Sequence, residues 1–199
     1  YGAPERQDIA RDRALRIAQW VISQQQSDGS WWYYADSAPG NFVDCFHSCF
    51  VVKNLISTSR LLPDVSTICA DHIASGWAYI RSTLFDEKNG LCKRFSNRSI
   101  SLHDPFEWEL YDQAEYLGLL VDFGYLHEAQ MFRNHVRSKF VRSGDWYTRI
   151  DVFQRRWGKN FLRWGIVPFQ YQEARLDMAL ESAKDSMKDS SRLHSAGNI

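Results

Sequence analysis

The chain has 199 residues, 44% of them hydrophobic and 15% aromatic, with 24 Lys and Arg balanced by 24 Asp and Glu. That is enough apolar material for one domain with its own core, and the zero net charge argues against nucleic acid or an anionic membrane surface as a main partner. No apolar run approaches the roughly 18–20 residues of a membrane span, and no basic-then-apolar start resembles a signal peptide, so a cytoplasmic protein without a membrane span is expected.

In chain order, the first expected element is an amphipathic helix over residues 7–26, with Ala10, Ala14, Ile17, Ala18 and Val21 on one face and Arg11, Asp12, Arg13 and Arg16 opposite. A Gly-stopped turn loaded with aromatic rings follows, from Gln24 through Gly29 to Trp31, Trp32, Tyr33 and Tyr34. Residues 42–62 read as a helix that is apolar on nearly every side, hence buried, yet it carries Asp44 and His47 one turn apart. Pro63 opens an outer helix to about residue 85, with Val65, Ile68, Ile73, Trp77, Ile80 and Leu84 as its apolar side. A second buried helix is expected over 106–123 and an outer one over 126–141, through Ala129, Phe132, Val136 and Phe140. A third buried helix is expected over 157–168, where Pro168 should kink or end it for want of a backbone donor. Leu176, Ala179, Leu180, Ala183 and Met187 mark a weaker amphipathic helix. From about Ser190 a disordered tail is expected, which leaves residues 1–189 as a single helical domain.

Helix, aromatic turn and buried helix recur. Gly29-Ser30-Trp31 is echoed by Gly90-Leu91-Cys92 and Gly144-Asp145-Trp146, an offset of roughly 55–60 residues, longer than usual solenoid periods. The repeat unit therefore reads as a helical hairpin and the fold class as all-α: three to four antiparallel helical hairpins forming a partial (α/α) toroid. Laid on the first unit, the second puts Asp112 and Glu115 where Asp44 and His47 stand. An open arc of hairpins would show aromatic surface to water, so self-association or a second toroid half is expected to close it. A collapsed six-helix bundle is the alternative.

Trp20-Val21, Gln25, Gly29 and Trp31 stand at the spacing of the QW motif of squalene-cyclase and prenyltransferase-like toroids. The order Gln25 to Trp31, Asp44-Cys45-Phe46-His47, Leu102-His103 and Arg156-Trp157-Gly158 resembles the VpsJ-like toroid proteins of bacterial exopolysaccharide biosynthesis, over about residues 10 to 166. The resemblance implies an α/α toroid, of which this chain looks like the carboxy-terminal half, and a polysaccharide or sugar precursor as ligand. The acidic run Glu107, Glu109, Asp112 and Glu115 departs from that pattern. The diphosphate motifs DxDD and DDxxD of terpene cyclases are absent from the sequence, which disfavours the alternative of half a terpenoid-cyclase-like toroid.

Asp44 and His47 share a helix face, and an Asp that orients a His makes it a usable general base; the same pair would also satisfy buried polar groups with no chemistry. Asp112 and Glu115 are likewise three apart. Two buried carboxylates repel, which raises one pKa and supplies an acid and a base for glycosidic chemistry, or the run is a charged helix start. Trp32, Tyr33, Tyr34, Trp146, Tyr147 and Trp157 are candidates to line a cavity mouth and stack on sugar rings, with Trp31 and Trp146 expected instead to plug between helices, and His103 is a further candidate contact. Arg94, Arg149, Arg155 and Arg156 are candidates to hold carboxylates of an acidic glycan, or to form surface ion pairs. Cys45, Cys49, Cys69 and Cys92 match no zinc or redox spacing and read as core thiols of a reducing compartment, so no metal and no cofactor are expected; zinc on Cys45, Cys49 and His103 is the weakest candidate. The expected function is a carbohydrate-active or carbohydrate-binding protein of polysaccharide biosynthesis or processing. If catalytic, it would be a hydrolase, lyase or epimerase; a non-catalytic binding or assembly module is the alternative.

Overall fold

The computed structural model describes residues 4–36, 38–98, 101 and 103–196; Leu102, one of the residues in the motif order above, lies outside them. It is 62% helix and 12% strand, with six α-helices and three small antiparallel sheets among the described residues. The fold is mixed α/β, which overturns the all-α expectation and the partial toroid of helical hairpins with it. The strands are two to four residues long, too short to display the alternation by which a strand shows itself in a sequence.

Helix α1 (Pro4–Ser23) ends ahead of Gly29, whose φ of +92° continues no helix. Its inward face is Ala18, buried, with Leu15, Val21 and Ile22 partly buried; Ile17 instead points to solvent, as do Ile9 and Trp20. The turn is closed by two side chains. Gln25 donates to the carbonyls of Gly29 and His72, 3.0 Å each, and the buried Trp31 indole donates to the Val21 carbonyl at 2.8 Å, satisfying one of the acceptors a helix end leaves open. Trp31 lies against Gly76, where a Cβ would come within 2.7 Å of the indole ring.

Helices α2 (Cys45–Leu61) and α3 (Pro63–Tyr79) are separated by Leu62 alone, with Pro63 in the first turn of α3, where its missing N–H costs nothing. A π-helical turn, Ile80–Leu84, leads into the hairpin β1 (Phe85–Asp86) and β2 (Leu91–Cys92). Of the stripe expected on this outer helix, Val65, Trp77, Ile80 and Leu84 are buried and Ile68 is exposed.

The expected helix over 106–123 is two elements. Strand β3 (Phe106–Glu109) runs directly into α4 (Leu110–Asp122), because Phe106, Trp108 and Glu109 pair with Asp151, Ile150 and Arg149 of β6 (Arg149–Asp151). Helix α4 is buried from Asp112 to Leu120 and packs against α2, α5 (Leu126–Phe140) and α6 (Val167–Ala196), so it is the centre of the molecule. Ala129, Phe132, Val136 and Phe140 of α5 are buried, as their spacing predicts. Between α5 and β6 lies the hairpin β4 (Val141–Arg142) and β5 (Asp145–Trp146), turned by Ser143 and Gly144, both at positive φ, the requirement of the tightest two-residue hairpins.

The third expected buried helix, 157–168, is absent. Arg156 and Trp157 form strand β7 (Arg156–Trp157), which pairs with β6 and completes the sheet β3-β6-β7. Gly158 and Asn160 at positive φ then break the chain before a π-helical turn, Leu162–Ile166. Pro168 sits in the first turn of α6, where the ring is tolerated, and so starts a helix that it was expected to end. Leu176 is buried and Ala179, Leu180 and Ala183 are partly buried; Met187 lies outside the side chains described. The helix reaches Ala196, into the 190–199 segment expected as a tail. It crosses close over α4, where a Cβ on Gly118 would lie 2.8 Å from Gln172 Oε1.

Candidate functional site

The site is built where the start of α2 meets the start of α4. Asp44 is the N-cap of α2, extended at φ −117° and ψ 162°, and the main chain on either side is pinned to the neighbouring segment by Cys45 N–H to the Arg94 carbonyl (3.0 Å) and Ser96 N–H to the Val43 carbonyl (3.1 Å). Oδ1 of Asp44 accepts the backbone N–H of His47 at 2.6 Å, and Oδ2 lies 2.8 Å from His47 Nδ1. A proton on Nδ1 makes the second contact a hydrogen bond and leaves Nε2 with a lone pair. The imidazole is 46% exposed, wedged edge-on against Tyr33 (4.7 Å) and Phe46 (4.6 Å).

Asp112 stands in the first turn of α4, where an acidic residue suits the helix dipole, yet it is only 4% exposed. The Phe46 N–H at the start of α2 donates to its carboxyl, and Oδ2 has no hydrogen-bond partner. Burial, then the negative charges of Glu109 and Asp44, push its pKa well above the usual carboxylate range, against the opposing pull of Arg94 and the Phe46 N–H. Burial thus favours the protonated form of Asp112 on the same side of the molecule as the carboxylate-oriented imidazole.

Both line one cleft of roughly 250 Å³. Its walls are the rings of Tyr33, Phe42, Phe46 and Tyr111, and its polar groups are Asp44, His47, Asp112, Glu109 and Arg94. Phe46 and Tyr111 stack at 4.3 Å and so join α2 to α4 across it. Glu109 is held by two arginines, Arg94 (3.3 Å) and Arg149 (2.5 Å), and Arg94 also bonds Asp104 at 2.8 Å.

Of the residues expected from sequence, Asp44, His47 and Asp112 come together here. Glu115 does not join them: it faces α2 and is ion-paired with Lys53. Trp32 lines a separate hollow with Gln26 and Asn41. Tyr34 is half exposed beside Tyr33 and Phe42, behind the cleft wall. His103 is exposed and is not among the residues lining the cleft. Tyr147 follows the β4–β5 hairpin and bonds Phe140 through its backbone. Trp157 donates to Asp151 (3.0 Å), and Arg156 donates to the Lys139 carbonyl (2.7 Å). The four arginines considered for acidic glycans, Arg94, Arg149, Arg155 and Arg156, are each engaged by protein carboxylates or carbonyls.

Of the rings expected at a cavity mouth, Tyr33 lines the cleft; Phe46 and Tyr111 are wall residues that sequence reasoning did not select, each adjoining or neighbouring a selected residue, because only cross-element packing decides which ring turns inward. Beneath the cleft, Cys45, Cys49 and Cys92 are fully buried free thiols, and burial pushes the Cys92 thiol up to about 11. Among the described residues no group of three or more His, Cys, Asp and Glu side chains is arranged to hold a metal ion, and no helix is long and apolar enough to cross a membrane. In comparisons with known proteins, no family model matches the chain and no curated protein is detectably similar to it.

Proposed function

We propose that the chain binds a saccharide in the Asp44–His47–Asp112 cleft and carries out acid/base chemistry on it, in the synthesis or processing of a bacterial polysaccharide. One observation carries this: a carboxylate-oriented imidazole and the buried carboxylic residue Asp112 line the same aromatic-walled cleft. Aromatic rings suit the apolar faces of sugars, and convergent polar groups suit their hydroxyls. His47 Nε2 is the base and protonated Asp112 the acid. That pairing favours elimination or epimerisation over double-carboxylate hydrolysis, because Asp44 is committed to His47 and Glu115 to Lys53. The ordered motifs that resemble VpsJ-like proteins supply the pathway class. The buried thiols Cys45, Cys49, Cys69 and Cys92 support a cytoplasmic setting.

Solvent deuterium uptake into a candidate sugar, followed by NMR, tests the reading. Uptake that is lost in both His47→Ala and Asp112→Asn supports it, and uptake surviving either change refutes the assignment. The N-cap role of Asp44 favours a second reading, a binding module without turnover; sugar binding by the unmodified protein with no exchange would select it. Self-association is proposed as well, since Phe153, Phe161, Trp164 and Tyr171 are among the exposed large hydrophobic residues; a stable monomer in light scattering would rule against it.

A further inference from the structure

We infer that the saccharide is a neutral oligosaccharide extending from the cleft into an adjoining groove, an inference that rests on the carbohydrate reading above. The groove has a volume of about 730 Å³ and shares Arg94 and Phe95 with the cleft. The walls are continuous: the Arg98 guanidinium of the groove lies 3.9 Å over the ring of Phe42 in the cleft and 5.3 Å over Phe95. Pockets for drug-sized ligands span roughly 300–1,000 Å³. At about 250 Å³ the cleft falls just below that range and suits one sugar ring; the groove lies well within it and suits several.

Charge decides against an anionic ligand. Asp86, Asp104 and Glu107 line the groove against Lys93, Arg94 and Arg98, so the formal charges cancel. Arg94 is ion-paired with Asp104 and Glu109, while Lys93 and Arg98 each give one donor to a backbone carbonyl, of Thr83 (3.1 Å) and Gly40 (3.0 Å). A sugar diphosphate or a uronate would meet Asp86, Asp104 and Glu107 as well as the three cations, and so gains no net attraction. Neutral hydroxyls meet no repulsion from those carboxylates, and Asn97, Ser101 and the ring of Phe106 offer polar contacts and a stacking face.

Calorimetric titration with neutral gluco-, galacto-, manno- and N-acetylgluco-oligosaccharides of one to six units, with UDP-glucose and oligogalacturonate as charged probes, tests this. Affinity in at least one neutral series should rise by about tenfold or more from one unit to four. Ser101→Trp, which places a ring in the groove, and Glu107→Ala should reduce that gain while single-sugar affinity, which also reports folding, stays unchanged. Equal affinity for one unit and four, or a preference for a charged probe, would overturn the oligosaccharide inference and leave the cleft reading standing. Failure of every saccharide to bind would overturn both.

Discussion

Asp44 and His47 are bound to each other twice, once through the His47 backbone N–H at 2.6 Å and once through the ring Nδ1 at 2.8 Å. One carboxylate therefore caps a helix and orients an imidazole, and substitution can separate the two roles. Asp44→Ser keeps a capping oxygen and should remain near the unmodified stability, whereas Asp44→Ala should lose about 0.5–2 kcal/mol. Both should lose activity if the imidazole needs its partner. Chemical denaturation and an exchange assay on the two variants check this, and full activity in Asp44→Ser would refute the oriented base.

Asp112 should make stability depend on pH in a defined direction. Its folded pKa is raised, mainly by burial, so the folded state holds the proton more tightly than the unfolded one. That contribution is fully present below the ordinary carboxyl pKa of about 4 and is lost as pH rises through the folded pKa. Asp112→Asn keeps an acceptor for the Phe46 N–H and removes the titration. Its melting temperature relative to the unmodified protein should rise between pH 4 and pH 8. A relative fall over that range would contradict the raised pKa.

Lys53 and Glu115 test whether the second acidic residue is structural. Glu115 is 6% exposed at its side chain and Lys53 is 21% exposed. Removing the cation alone, in Lys53→Met, should cost roughly 3–5 kcal/mol by stranding a buried charge, and adding Glu115→Leu should recover most of it. Urea melts of the single and double variants read the coupling. If Glu115→Gln abolishes sugar exchange at unchanged stability, Glu115 belongs with the chemistry.

Gly76→Ala should destabilise by about 1–3 kcal/mol, because the added Cβ would lie 2.7 Å from the Trp31 ring and 2.9 Å from Val52 Cγ2. Thermal denaturation measures it. A neutral result would mean that α3 and the aromatic turn can move apart.

What could be read from the sequence alone was whatever repeats within one element. The apolar stripe of α5, the encasement of α4 and the breaks at Gly29, Gly90 and Gly144, all at positive φ, follow from helical period and from the steric freedom of glycine. Helical spacing also pairs Asp44 with His47, but they meet because Asp44, extended at the N-cap just outside α2, turns its carboxylate back over the first turn. Tertiary structure decided the rest. Residues 106–109 and 156–157 are strands because β6 offers them a ladder, and two to four paired residues carry no period that a sequence can display. Asp112 faces the imidazole side of the cleft and Glu115 faces Lys53 because α2 packs along α4. Tyr33 rather than Tyr34 meets His47 for the same reason: adjacent side chains point different ways, and only the surface packed against them selects one.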